Sequence, residues 1–243
     1  MAPRAGRPVE TMKMKHIAHR HIDSLSDGVF SIALTLLGLD VLSLARDLAR
    51  SADLNAELFA HWPVFFAYAL GFFVLYAMWY SYHATSQYVV NTNAWVVWQH
   101  GLVMAIVALV PFTTALLAES LNTPNMTWGV FYFGVTVFGN QWTNALLSLP
   151  MRGNAPIFFS EDFPIEQADQ AKALMFFNIT QSLVGLVLVL AALVNPWIAL
   201  CGYILHLAGQ ANPVRMLNTF GTMLSPRFFR LKPEARRAKS SRS

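Results

Sequence analysis

Charged residues are scarce in this sequence and absent from two long stretches. They make up 12% of the 243 residues, while apolar residues make up 55%. An average soluble domain carries about 25% charged residues. No Asp, Glu, Lys or Arg occurs between Glu57 and Glu119, or between Lys172 and Arg215. A soluble protein cannot cover its surface with such stretches, whereas lipid is a suitable solvent for them. The composition therefore predicts an integral membrane protein.

Cysteine occurs only once, and the common catalytic motifs are missing. The single Cys201 excludes an intrachain disulfide. The predicted spans contain no nucleophile elbow, phosphate-binding loop or paired catalytic carboxylates. His83 and His100 lie on successive predicted helices, but no second His pair, Glu-rich helix or Cys-X-X-Cys-His motif accompanies them. We therefore predict no enzyme activity, no cofactor and no metal site.

The basic residues are concentrated in the two tails. Of the 17 Lys and Arg residues, 13 lie between Arg4 and Arg20 or between Arg215 and Arg242. Positive charge marks the cytoplasmic side of membrane proteins, so we expect both tails in the cytoplasm rather than on nucleic acid. The predicted organisation is a basic N-terminal tail (1–20), a transmembrane domain (21–212) and a basic C-terminal tail (213–243). Nothing marks an organelle, so a bacterial inner membrane is the expected location, with the chain as a multi-pass protein.

Apolar runs long enough to span a bilayer recur along the chain. A spanning helix needs about 20 mainly apolar residues. The sequence predicts an all-α protein with six spans, near residues 24–45, 62–84, 94–118, 126–149, 173–194 and 196–212. Asn195-Pro196 separates the last two spans, where proline favours a tight hairpin. An even number of spans agrees with two cytoplasmic tails.

The first span carries the features that suggest a function. Asp27 and Asp40 bracket twelve uncharged residues, a run of about 20 Å at 1.5 Å per residue. An acid within the membrane is a candidate functional residue, although either acid can instead mark the end of the helix at the headgroups. Ile32, Thr35, Leu36 and Leu39 fall at i, i+3, i+4 and i+7, on one stripe. Such a stripe usually packs against another helix, and it lines a pore only where several copies face one axis.

Three segments of the sequence resemble a known family. The segments are Leu25–Leu37 (LSDGVFSIALTLL) in the first span, Trp79–His83 (WYSYH) in the second and Val110–Leu117 (VPFTTALL) in the third. Their content, order and spacing are similar to those of the transmembrane protein 175 potassium channels, in their single-repeat prokaryotic form. The resemblance covers roughly residues 20–120, and beyond that only the hydropathy agrees.

The resemblance implies a fold and a function. It implies a homotetramer with six spans per subunit, a pore lined by the four first helices, and K⁺ as the permeant ion. The constriction then falls on Ile32, Leu36 and Leu39, with Thr35 close by and Asp40 at the pore mouth. No Thr-Val-Gly-Tyr-Gly filter occurs, so apolar rings must select the ion, and we expect modest selectivity for K⁺ over Na⁺.

The resemblance also implies a polar network behind the pore. In this network Trp79 and His83, one turn apart on the second span, hold Ser26 and Asp27 of the first span. Three positions depart from the family pattern: His21 and Leu25 stand where the family usually has arginine and phenylalanine, and His100 stands where it has asparagine. These departures concern gating and the response to pH.

A secondary transporter of cations or small solutes is the alternative function. Transporters usually show two related halves and helices interrupted at mid-membrane. The sequence has no internal repeat that doubles the spans and no pair of interrupted helices. A four-fold assembly favours the channel, whereas a monomer with a polar central cavity favours the transporter.

Overall fold

The computed structural model describes residues 10–86, 94–148 and 167–210, and all regular secondary structure in these ranges is helical. The helices follow one another along the chain as α1 (Glu10–Leu48), α2 (Leu54–Ala60), α3 (Trp62–Ser86), α4 (Ala94–Ser120), α5 (Met126–Ser148), α6 (Gln167–Val194) and α7 (Pro196–Gln210). The predicted all-α fold is therefore confirmed for the part of the chain that is described.

Each predicted span coincides with a helix. Among the described residues, three helical segments are long and apolar enough to cross a membrane: Ser24–Arg46, Trp62–His83 and Val97–Ser120. In α6 the apolar part is shorter, Asn178–Val194. Helix α7 has 15 residues, which gives a length of about 22 Å. The first three predicted spans thus match the structure closely.

Helix α1 begins at Glu10, within the predicted N-terminal tail (1–20), and continues into the first span without a break. Residues 1–9, the segment around 152–166 and the C-terminal tail from 211 lie outside the described residues.

Helix α4 lies at the centre of the bundle. It packs against α1 and α3 on one side and against α5 on the other, and α5 in turn packs against α6. Helix α7 contacts α3, α5 and α6. The buried core runs through all the long helices, and its largest fully buried side chains are Phe30, Phe133, Phe138, Leu37, Leu75 and Leu117. This arrangement fixes α1 by one face only.

A close approach between α3 and α4 supports the position of α4. A Cβ atom added at Gly71 would lie 2.5 Å from Oγ1 of Thr114, so only glycine permits this packing.

Pro111 lies within α4 and lacks the N–H group that would continue the backbone ladder. Thr113 and Thr114 both donate their hydroxyls to the carbonyl of Val110, at 3.2 and 2.8 Å. These bonds keep the threonine hydroxyls satisfied inside an apolar helix.

The predicted hairpin at Asn195-Pro196 is present. Oδ1 of Asn195 accepts hydrogen bonds from the backbone N–H groups of Trp197 at 3.0 Å and Ile198 at 3.2 Å. Asparagine is a preferred N-cap residue, and proline suits the first helical position. The sequence therefore starts α7 directly after α6 ends.

Candidate pore helix and its supports

Helix α1 buries one face of its span. Ser26, Phe30, Ala33 and Leu37 are each 1% exposed and follow the spacing i, i+4, i+7 and i+11 of a single helix face. This face packs against α3 and α4. Because the buried residues are small or apolar, apart from Ser26, the contact resembles an ordinary membrane helix interface.

The opposite face of α1 is exposed in the part of the chain that the structure describes. Ile32, Leu36 and Leu39, the predicted constriction residues, are 61%, 43% and 55% exposed. Thr35 is exposed between them, and Leu25 and Leu42 extend the apolar stripe at either end. Leu34, by contrast, is half-buried and packs against the core. The structure therefore places all four predicted pore residues together on the free face.

The hydroxyl of Thr35 makes a local hydrogen bond. Its Oγ1 donates to the carbonyl oxygen of Ile32 at 2.8 Å. A hydroxyl that donates to its own helix keeps lone pairs free to accept or to face a cation. The exposed stripe thus combines apolar side chains with one hydroxyl, that of Thr35.

Asp27 is tied to α3. Nε1 of Trp79 donates a hydrogen bond of 3.1 Å to Oδ1 of Asp27, whose side chain is exposed. The ring of His83 stacks on that of Trp79 with centroids 5.1 Å apart and planes at 29°. The structure therefore places Trp79 against Asp27, with His83 stacked on Trp79.

Ser26, the buried member of the predicted network, bonds to a residue that the sequence reasoning missed. Its hydroxyl lies 3.2 Å from the hydroxyl of Tyr82. The Tyr82 ring also contacts Phe30 at 6.4 Å and His100 at 5.4 Å between centroids. Tyr82 thus joins α1, α3 and α4. The signal was present, because Tyr82 lies one turn after Trp79 within the quoted motif.

The two histidines that were weighed as metal ligands lie against different aromatic rings. His83 stacks on Trp79, while His100 meets Tyr82 edge to face. Within the described ranges, no group of three or more His, Cys, Asp or Glu side chains is arranged to hold a metal ion. Asp40, the predicted pore mouth, lies on α1, but its side chain is outside what the structure describes.

A second polar cluster joins α4, α5 and α6. Nε2 of Gln99 donates to Oδ1 of Asn144 at 2.9 Å, and Nδ2 of Asn144 lies 3.5 Å from Oδ1 of Asn140. Nδ2 of Asn178 lies 3.5 Å from the carbonyl of Asn144. The sequence reasoning missed this cluster, since its members are far apart in the chain and share no motif. It ties the helix that supports α1 to the second half of the bundle.

Known proteins are similar to this chain in sequence and in fold. Residues 21–111 match the family model described as the endosomal/lysosomal potassium channel TMEM175. A protein described as a potassium channel of Chamaesiphon minutus is 33% identical over 130 residues, which cover 51% of this chain and 64% of that protein. One from Streptomyces collinus, also described as a potassium channel, is 39% identical over 101 residues, 42% of this chain and 48% of that protein. The matched regions thus span less than two thirds of either relative.

A solved structure extends the likeness beyond the matched sequence. The crystal structure of a lysosomal potassium-selective channel TMEM175 homologue from Chamaesiphon minutus superposes with a TM-score of 0.66. It covers 82% of this chain and 98% of the solved chain, at 22% identity, so it shows a shared fold. The segment that matches the family model holds α1, α3 and most of α4, the helices that build the exposed stripe and its supports. Over residues 21–111 the chain is thus similar in sequence to the TMEM175 potassium channels, and it shares the fold of a solved homologue.

Proposed function

We propose that this protein is a potassium-permeable cation channel formed by four copies of the chain. Each copy contributes six membrane spans, and the four α1 helices line a central pore. The similarity of residues 21–111 to a potassium channel family supports this proposal. The observation that carries it is the free apolar face of α1, where Ile32, Leu36 and Leu39 are exposed although the opposite face is buried.

The geometry of α1 suits a pore with an apolar constriction. Four copies of Ile32, Leu36 and Leu39 around one axis form three stacked rings, each about one helical turn from the next. An ion that passes such rings must shed part of its hydration shell, and a narrow apolar ring closes the path by dewetting. Because K⁺ loses water more readily than Na⁺, the rings favour K⁺ to a modest degree. Ile32 is the proposed principal constriction.

Thr35 and Asp40 add oxygen atoms to this path. The hydroxyl of Thr35 donates to the carbonyl of Ile32, which leaves its lone pairs available to a partly dehydrated cation. Asp40 at the end of the apolar run attracts cations to the pore mouth through its negative charge. Neither group replaces the whole hydration shell, and this agrees with modest selectivity.

The polar contacts behind α1 hold the stripe in register. A pore ring requires that all four helices present the same side chains at the same height. The Trp79–Asp27 bond, the ring of His83 on Trp79 and the Ser26–Tyr82 contact fix the rotation of α1 at one end of the stripe. We therefore assign Ser26, Asp27, Trp79, Tyr82 and His83 as positioning residues.

The proposed topology is that of a multi-pass protein of the cell membrane with both tails in the cytoplasm. The three apolar segments that can cross a bilayer and the basic tails support it. Two tails on the same side of the membrane require an even number of spans, as in the proposed six.

A flux measurement tests the function. The full chain is reconstituted into liposomes that carry a K⁺ gradient, and a voltage- or proton-coupled dye reports K⁺ movement against empty liposomes. A channel gives passive flux that needs no counter-substrate and does not saturate at millimolar K⁺. No K⁺ flux above that of empty liposomes would contradict the proposal, and saturating, counter-ion-coupled flux from a monomer would favour a transporter.

A further inference from the structure

The short helix α2 has no buried residue. It spans Leu54–Ala60, and every one of its side chains is open to the surroundings of the chain. Its ends are closed locally. Oδ1 of Asp53 accepts hydrogen bonds from the N–H groups of Asn55 at 3.0 Å and Ala56 at 3.1 Å, and the N–H of His61 donates to the carbonyl of Glu57 at 3.0 Å. Such a helix gains little from packing within the chain, and short helices are marginal in water.

Three large apolar side chains lie on one side of α2. At about 100° per residue, Leu54, Leu58 and Phe59 fall within an arc of about 140°, and they are 53%, 41% and 77% exposed. Glu57 and His61 lie outside this arc, and Oε2 of Glu57 is 3.6 Å from Nδ1 of His61. One polar residue, Asn55, falls within the arc at the capped first turn. An exposed apolar arc with charged or polar residues beside it suits a helix at a boundary between water and an apolar phase.

Helix α2 directly precedes an apolar segment, Trp62–His83, that is long enough to cross a membrane. Trp62, the first residue of α3, follows α2 after the single residue His61. Its ring stacks on that of Trp197, the second residue of α7, with centroids 6.5 Å apart and planes at 20°. Tryptophan is enriched in the headgroup layer, where its ring meets lipid and its N–H meets water. Since one residue spans at most about 3.6 Å, the C-terminal end of α2 lies close to Trp62.

We propose that α2 is an interfacial helix that binds the lipid leaflet at the C-terminal end of the α1 span. Leu58 and Phe59 insert at the boundary between headgroups and acyl chains, with Leu54 beside them, while the Glu57–His61 pair faces water. Phospholipid is the partner that the surface fits, because α2 is followed after one residue by Trp62, the first residue of an apolar segment long enough to cross a membrane. A second copy of the chain fits less well, since three side chains fall far short of the ~800 Å² that each partner buries in a stable interface.

This placement gives α2 a role in holding the end of the pore helix. Only residues 49–53 separate α1 from α2, so an anchored α2 limits how far the C-terminal end of α1 moves along the membrane normal. The inference concerns lipid contact and stands whether or not the chain conducts K⁺.

Site-directed spin labelling of the full chain tests the proposal. Cys201 is replaced by Ser, and a nitroxide is attached to Phe59→Cys or, as the matched control on the polar side, to Glu57→Cys. Neither position is buried, so neither label removes a core contact, and size-exclusion chromatography verifies assembly. The labelled protein is reconstituted into phosphatidylcholine vesicles, and collision rates with oxygen and with a water-soluble nickel chelate are measured.

The proposal predicts a several-fold higher ratio of oxygen to nickel collisions at position 59 than at position 57. Equal ratios dominated by nickel would place α2 in water and overturn the proposal. Low collision rates with both reagents at position 59 would also overturn it, because they would show that protein, such as a second copy, covers this face.

Discussion

The indole nitrogen of Trp79 lies 3.1 Å from a carboxylate oxygen of Asp27, so α3 holds α1 at one end of its exposed stripe. The two residues are 52 positions apart in the chain, and the bond crosses the interface on which the proposed pore depends. A hydrogen bond to a charged group is stronger than one between neutral groups. Removing this bond therefore tests whether α3 determines the rotation of α1 about its own axis.

Removing either partner of this bond should weaken the assembly. Trp79→Phe keeps an aromatic ring against His83 but removes the donor, and Asp27→Ala removes the acceptor. We expect each change to cost about 1 kcal/mol of stability, since the pair is exposed in the single chain. Asp27→Ala should also reduce the amount of folded tetramer and the current. The measurement is thermal stability by fluorescence-detected size-exclusion chromatography.

The control for this pair is Trp98→Phe, on an exposed tryptophan of α4. It should leave the melting temperature unchanged. The double variant Asp27→Ala/Trp79→Phe should lose less stability than the sum of the single losses. An Asp27→Ala protein that assembles fully and conducts normally would refute the positioning role.

The contact between Tyr82 and Ser26 gives a second prediction. Tyr82→Phe keeps the ring against Phe30 and His100 but removes the hydroxyl that meets Ser26. Ser26 is buried, so the loss of this bond should cost about 1 kcal/mol. Adding Ser26→Ala should recover part of that loss, because removing both polar partners is less costly than removing one. Tyr132→Phe, at an exposed tyrosine of α5, is the control, and additive losses at Tyr82 and Ser26 would argue against the contact.

The sequence predicted the helices and the two faces of α1 because both follow from the order of apolar and polar residues. Long uncharged runs indicate spans, and a stripe at i, i+3, i+4 and i+7 indicates a shared face. The sequence did not predict α2, since seven residues are too few for a periodic signal and Asp53 caps it locally. It also missed the Gln99–Asn144 bond, because pairing across helices depends on their packing and not on spacing along the chain.

The amide cluster between α4 and α5 gives a third prediction. Gln99→Leu or Asn144→Leu leaves one amide without its 2.9 Å partner inside the bundle. We expect each single change to cost about 1 kcal/mol, and the double change to cost less than the sum. Ion selectivity should not change, since the cluster lies away from the α1 stripe. Thr180→Val, which removes a bond within α6 itself, is the control, and strictly additive losses would show that the two amides do not stabilise each other.

Cross-linking tests the arrangement of the four copies. In a Cys201→Ser background, Leu39→Cys should form disulfides between subunits on mild oxidation, because the proposed axis brings the α1 helices together. A disulfide requires Cα atoms within about 7 Å. Val187→Cys, at an equally exposed apolar position on α6, should remain monomeric on a denaturing gel. Efficient cross-linking at Val187 with none at Leu39 would place α6 and not α1 at the axis.

The constriction itself gives the last prediction. Ile32 is exposed on the stripe, and four copies around an axis form the proposed narrowest apolar ring. Ile32→Asn replaces this ring with polar amides, which wets the path and lowers the cost of passage for hydrated ions. We expect larger currents and a K⁺-to-Na⁺ permeability ratio closer to one. The ratio is measured from the reversal potential of reconstituted channels under bi-ionic conditions. The matched control is Leu34→Asn, two residues away on the half-buried side, which should cost about 2 kcal/mol of stability through lost packing and leave the permeability ratio unchanged. If Ile32→Asn left the permeability ratio unchanged while Leu34→Asn brought it to one, the exposed face of α1 would not be the pore lining.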